Sequence, residues 1–196
     1  MLLSIDCSNL QGKRDFAIIN LLIRTGLRTI EVIRANIEDI RQESGEAVLW
    51  IQGKGRDDKD EFVLLTEGTF KPIRDYLSSR SITDNKEPLF ASLSDRNKGN
   101  RLTTRSISRI VKNKLKEIGL NNDRLTAHSL RHTAITLALK GGATIQEAQA
   151  LGRHANINTT LIYSHNINRV TQAPEKKIDV ILKEINDDYL GDFNYD

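Results

Sequence analysis

The chain has 196 residues, enough for one domain or one domain with a tail, and its 38% hydrophobic and 28% charged content is ordinary for a globular protein. One cysteine, Cys7, excludes an intrachain disulfide and fits a reducing compartment. No apolar run is long enough to span a bilayer, since the stretch from Phe16 to Ile23 stops at Arg24, and no signal peptide is legible at the N-terminus. The net charge of +3 is unevenly spread: Asp179 to Asp196 holds six acidic residues and one basic, while residues 1–178 hold 28 basic against 20 acidic. A basic body suits a polyanion such as DNA, and equally an ordinary solvated surface.

In chain order, Gly12 to Thr25 carries Phe16, Ile19, Leu22 and Ile23 at helical spacing, with Gly26 placed to end the helix. Thr29 is positioned to cap a short helix over Ile30 to Ala35, with Glu31 in its first turn. Ala47–Ile51 and Glu61–Leu65 read as strands around a polar, glycine-bearing turn over 52–60, and Ile37–Ile40 reads as a third, shorter strand. Helical patterns resume over Thr66–Ser79, Thr103–Ile118, His128–Leu139 and Ile145–Leu151. Gly119, Gly141-Gly142 and Gly152 serve as stops, and Thr144 as a cap. Asp84 to Asn100 reads as a loop. A short helix capped by Asn158 or Thr159 carries Tyr163. Beyond Pro174, Lys176–Tyr189 forms an amphipathic helix with Ile178, Ile181, Leu182 and Ile185 apolar, followed by a frayed end from Gly191. The expected fold is mainly α with a small three-stranded antiparallel sheet, an α+β arrangement.

Four segments hold chemistry-bearing residues: Thr25-Gly26-Leu27-Arg28-Thr29-Ile30-Glu31, Gly53-Lys54-Gly55, His128-Ser129-Leu130-Arg131-His132-Thr133, and His154 with Tyr163 nine positions on. His128 and Arg131 share a helix face at i and i+3, so an imidazole and a guanidinium can be presented together. His132 lies at i+4 from His128, the spacing of a zinc-binding helix, but Ser129 stands where that motif carries its Glu. Gly53-Lys54-Gly55 lacks the spacing and the Ser/Thr of a phosphate-cradling loop. Singly, each has a bland alternative: Arg28 pairs with Glu31, Lys54 is a turn lysine, His128 caps a helix, His154 sits in a loop.

Taken together and in this order, these residues, with Leu151-Gly152-Arg153-His154 leading to Thr159-Thr160-x-x-Tyr163, resemble the catalytic domain of the tyrosine recombinase (phage integrase) family, over roughly Lys13 to His165. One position departs from the pattern: the residue before the second histidine is commonly Gly and is Arg153 here. Tyr76, Tyr189 and Tyr195 have no comparable neighbours.

The resemblance implies a site-specific recombinase or integrase that cleaves and rejoins DNA strands through a 3′-phosphotyrosyl intermediate on Tyr163, with no metal and no cofactor. It implies that Arg28 and Arg131 clamp the non-bridging phosphate oxygens, that His154 adds a hydrogen bond, that Lys54 protonates the departing 5′ oxygen and that His128 assists proton transfer, with Glu31 orienting a clamp residue. The implied partners are double-stranded DNA and further copies of the chain, a tetramer on DNA and a monomer when isolated, with no membrane. The implied setting is cytoplasmic, in a bacterium or encoded by a phage or transposon. Residues 1–175 are expected to form the catalytic domain, and 176–196 a helix and acidic tail exchanged between subunits. Arg28 arrives too early for a preceding DNA-clamping domain, so an excised domain is expected rather than a naturally short protein. Two readings compete: a catalytically silent DNA-binding module of the same fold, and a relaxing enzyme like the type IB topoisomerases. A metal-dependent nuclease would need a carboxylate cluster near the histidines, which the sequence lacks.

Overall fold

In the computed structural model, which describes residues 1–53, 55–171 and 173–191, the chain divides into two compact units, Met1–Leu137 and Ala138–Asp196. The first unit is built on α1, Leu10–Thr25. Its N-terminus is capped by Asn9, whose side-chain oxygen accepts from Gly12 N at 2.8 Å, two residues before the expected start. Gly12 is required there, because a Cβ would stand 1.7 Å from the carbonyl oxygen of Asp6. Gly26 ends the helix as expected, in the left-handed conformation at φ 61°.

α2 spans Thr29–Arg34, and here the expected cap is corrected. Thr29 is the first helical residue, and Arg28 occupies the cap position. The expected strand at Ile37–Ile40 is also corrected. Ile37–Asp39 is a 3-10 turn, tied by Asn36 N donating to Asp39 Oδ2 at 2.6 Å. The strand β1 is Ile40–Glu43 instead. Its position follows from the hairpin to β2, Glu46–Ile51, whose two loop residues Ser44 and Gly45 both have positive φ. That two-residue turn matches strand twist and sets the register Glu43↔Glu46. The Ser44-Gly45 pair was the sequence signal for it. β3, Glu61–Leu64, pairs antiparallel with β2, giving the order β1-β2-β3.

α3, Glu67–Leu77, packs on α1 although it contains Pro72. Pro72 has no N–H for the carbonyl of Gly68, four residues earlier. The side-chain amide of Asn20 on α1 donates to that carbonyl instead, at 2.8 Å. The helix thus tolerates its proline because a neighbouring helix supplies the missing donor. α4, Thr104–Glu117, is capped by Thr103 and buries Ile107, Val111 and Leu115 against the core of Ile18, Leu21, Leu22, Leu49 and Ile51. α5, Ala127–Lys140, runs across the division between the units.

In the second unit, α6, Ile145–Gly152, begins on a reciprocal cap: Thr144 N donates to Glu147 Oε2, and Glu147 N to Thr144 Oγ1. Gly152 is its last helical residue rather than its stop, and Arg153 takes the left-handed turn at φ 45°. α7, Asn158–Thr171, packs on α6 and at 14 residues is not the short helix expected. α8 spans Pro174–Gly191. The expected frayed segment beyond Gly191 and the side chain of Ile185 lie outside the described residues. Among those described, no helix is long and apolar enough to cross a membrane.

Candidate active site

Three of the six expected site residues line one cavity of the first unit, about 280 Å³ in volume. They are Arg28 at the start of α2, and His128 and Arg131 one turn apart on α5, with Ser108 and Thr126 at the cavity wall. Arg28 is held at two points by one carboxylate. Its backbone N–H donates to Glu31 Oε2 at 2.7 Å, and its Nη1 donates to Glu31 Oε1 at 3.0 Å. Glu31 is fully buried, while the Arg28 side chain is 31% exposed. The carboxylate therefore anchors the arginine from the protein side and leaves part of the guanidinium open. Glu31→Ala removes the acceptor of both the Arg28 backbone N–H and its guanidinium, and is expected to destabilise the protein by about 1–3 kcal/mol. A thermal melt checks this, and an unchanged Tm would contradict the anchoring.

Arg131 is only 3% exposed, and its Nη1 donates to the carbonyl oxygen of Gly26 at 2.5 Å. The left-handed turn that ends α1 thus supports an arginine 105 residues further along the chain. His128 stands beside His132, ring edge to ring face, with centroids 4.6 Å apart. Burial first, then the positive charge of His132, Arg131 and Arg28, hold the His128 imidazole below its ordinary value of 6.5. His128 is therefore neutral near pH 7 and able to exchange a proton. In an NMR titration its midpoint is expected below 6.5, and Arg131→Gln, which deletes one repelling charge, is expected to raise it. A midpoint at or above 6.5 would contradict this electrostatic picture. The linked stability has a defined sign. Between the two values the unfolded chain binds more protons, so stability is complete above 6.5 and declines as pH falls through that window.

Lys54 lies outside the described residues. Its loop is anchored on either side: Arg34 Nη1 donates to the carbonyl oxygen of Gly53 at 3.0 Å, and the Gln52 side chain donates to the carbonyls of Arg56 and Asp57.

The remaining two expected residues meet in the second unit. The rings of His154 and Tyr163 are stacked, with centroids 6.3 Å apart and 19° between planes. His154 follows the left-handed Arg153, and its backbone N–H donates to the Gln149 carbonyl at 3.1 Å. The Gln149 side chain returns a bond to the His154 carbonyl at 3.0 Å. The ring lies against Gly152, where a Cβ would come within 2.9 to 3.1 Å of three ring atoms. The positive-φ residue is thus Arg153, while the residue whose lack of a side chain leaves room for the ring in this position is Gly152. Of the other tyrosines, Tyr76 is fully buried in the core, where its hydroxyl accepts from Ala91 N. Two residues that the sequence offered only as parts of motifs contribute here: Gly152 as the bed for an imidazole, and Thr160, whose hydroxyl meets His154. Among the described residues no group of three or more His, Cys, Asp or Glu is placed to hold a metal ion.

The model of the phage integrase family matches residues 1–169. The chain belongs to that family. Among curated members of known sequence, it is 37% identical over 154 residues to tyrosine recombinase XerC of Caldanaerobacter subterraneus subsp. tengcongensis, covering 78% of this chain and 41% of that protein. It is 36% identical over 157 residues to XerC of Corynebacterium glutamicum, covering 80% and 48%. The chain therefore spans about half the length of these phage integrase relatives or less. Among solved structures, XerA recombinase superposes with a TM-score of 0.67 at 32% identity, covering 84% of this chain and 55% of that one. XerH site-specific recombinase bound to its difH substrate, in a pre-cleavage complex, superposes with a TM-score of 0.68 at 26% identity, covering 88% and 48%. The mainly helical fold with its three-stranded antiparallel sheet is thus the phage integrase catalytic fold.

Proposed function

We propose that this chain is the strand-cleaving and strand-joining part of a site-specific tyrosine recombinase acting on double-stranded DNA. The observation that carries the reading is the gathering of Arg28, His128 and Arg131 around one cavity, with Arg28 held by buried Glu31 and Arg131 by the Gly26 carbonyl, together with the stacked pair of His154 and a partly exposed Tyr163. Two guanidiniums at one cavity suit a phosphodiester, because each stays charged and can bind two oxygens at once.

In the proposed reaction Tyr163 Oη attacks the scissile phosphorus. A phosphotyrosyl bond forms at the 3′ side and the P–O5′ bond breaks. Arg28 and Arg131 hold the non-bridging oxygens, where negative charge grows in the transition state. His154 donates a further hydrogen bond to the phosphate. Lys54 delivers the proton that the 5′ oxygen takes as it leaves, and neutral His128 assists removal of the phenolic proton. The covalent link conserves the bond energy, so a 5′ hydroxyl from another strand can reverse the step and complete an exchange.

The biological unit on this reading is a homo-oligomer, a tetramer on DNA assembled from monomers. Residues 1–175 form the catalytic domain, and the segment 176–196 is passed between subunits. Ile178, Val180, Ile181 and Leu182 on α8 are each more than half exposed, an arrangement suited to burial against another copy. The deciding experiment is covalent trapping on a nicked duplex with the Tyr163→Phe variant alongside.

A further inference from the structure

Thr160 has no part in the reaction above, yet it is fully buried and its hydroxyl oxygen lies 2.9 Å from His154 Nδ1. A threonine inside a helix commonly donates back to the carbonyl four residues earlier. Thr25 does so to Leu21 at 2.6 Å, and Thr133 to Ser129 at 3.0 Å. Thr160 lies in the first turn of α7, where the residue four back is outside the helix, and among the described residues the His154 imidazole is the one partner of its hydroxyl.

That isolation sets the direction of the bond. A hydroxyl has one hydrogen to place and two lone pairs to spare. If Nδ1 carried a proton and donated to Thr160, the hydroxyl hydrogen would be buried with no acceptor, whereas an unused lone pair is a milder loss. The hydrogen therefore points at Nδ1, which must be the unprotonated nitrogen. We infer that Thr160 is a positioning residue that donates to His154 Nδ1 and holds the neutral imidazole in the tautomer with its proton on Nε2. The ring is gripped from two sides, by Thr160 at Nδ1 and by the bare backbone of Gly152 beneath it. An imidazole fixed in this way presents an N–H donor without having to become charged. The inference rests on the recombinase reading only for its consequence, that this N–H is the one offered to phosphate.

The test uses the 196-residue chain with histidine labelled with nitrogen-15, at mildly alkaline pH. The parent protein is expected to show His154 in the Nε2–H form with Nδ1 as a hydrogen-bond acceptor. Thr160→Ser is expected to keep that signature, and Thr160→Val to move the Nδ1 resonance towards that of an unbonded ring nitrogen. A parent spectrum in the Nδ1–H form, or a valine variant with an unmoved resonance, overturns the inference. The same proteins are then assayed for adduct formation on a nicked duplex. Thr160→Val is expected to slow it by about ten- to a hundredfold, and Thr160→Ser to restore it. A folded valine variant that reacts at the parent rate overturns the positioning role while leaving the recombinase reading intact. If the spectra behave as expected but no protein forms an adduct, the positioning role stands and the recombinase reading fails.

Discussion

Tyr163→Phe is expected to abolish covalent attachment to DNA while leaving binding intact. The substitution removes one oxygen and keeps the ring, so the stacking on His154 survives. With the nucleophile gone, its base and charge clamps have nothing to act on, and the loss should be on the order of a millionfold, as when an activated nucleophile is deleted elsewhere. The measurement is a denaturing gel of protein incubated with a nicked duplex in EDTA, with a binding assay alongside at fixed salt, since phosphate contacts make affinity salt-dependent. An adduct that persists in the phenylalanine variant would mean a different nucleophile. Tyr76 is not a ready substitute, because its ring is fully buried and its hydroxyl is bonded to the Ala91 backbone.

Arg131→Ala is the second large effect, and here structure and chemistry must be separated. The side chain is almost wholly buried and donates to the Gly26 carbonyl. Truncation leaves that carbonyl without this donor, a stability cost of about 1–3 kcal/mol, which a domain with about 5–15 kcal/mol in hand survives. Loss of a preorganised donor at the developing charge should slow cleavage by about a hundred- to a thousandfold, well beyond what a small unfolded fraction produces. Arg131→Lys is expected to recover little of this, because an ammonium cannot hold both a carbonyl and a phosphate oxygen with the fixed fork of a guanidinium. Single-turnover cleavage rates, read together with melting curves, check both parts. A folded alanine variant that cleaves at the parent rate would remove Arg131 from the clamp.

Much of this fold was legible in advance, for local reasons. Thr144 caps its helix as expected, and Gly26 and Gly119 have the positive φ expected of helix ends. The stripe of Ile107, Val111 and Leu115 is buried as its spacing requires. The misreadings share a physical cause, competition between a local preference and a neighbouring constraint. Ile37–Ile40 looks β-prone, but the Asp39 carboxylate ties the backbone into a turn, and the Ser44-Gly45 hairpin places the strand further on. Gly152 looks like a helix stop, but a glycine is needed there to receive an imidazole, so the left-handed turn passes to Arg153.

The sequence by itself determined the family, the mainly helical fold class with its small sheet, and a short set of candidate residues, because these are carried by spacings of side chains along the chain. It could name Arg28, His128 and Arg131, but not place them around one cavity. That grouping depends on the α1 turn at Gly26 meeting an arginine 105 residues away, a contact no local pattern encodes. Nor could it tell which of Thr159 and Thr160 matters. Helix phase and packing bury the second against His154 and leave the first exposed, and burial is what turns a common hydroxyl into a directed hydrogen bond.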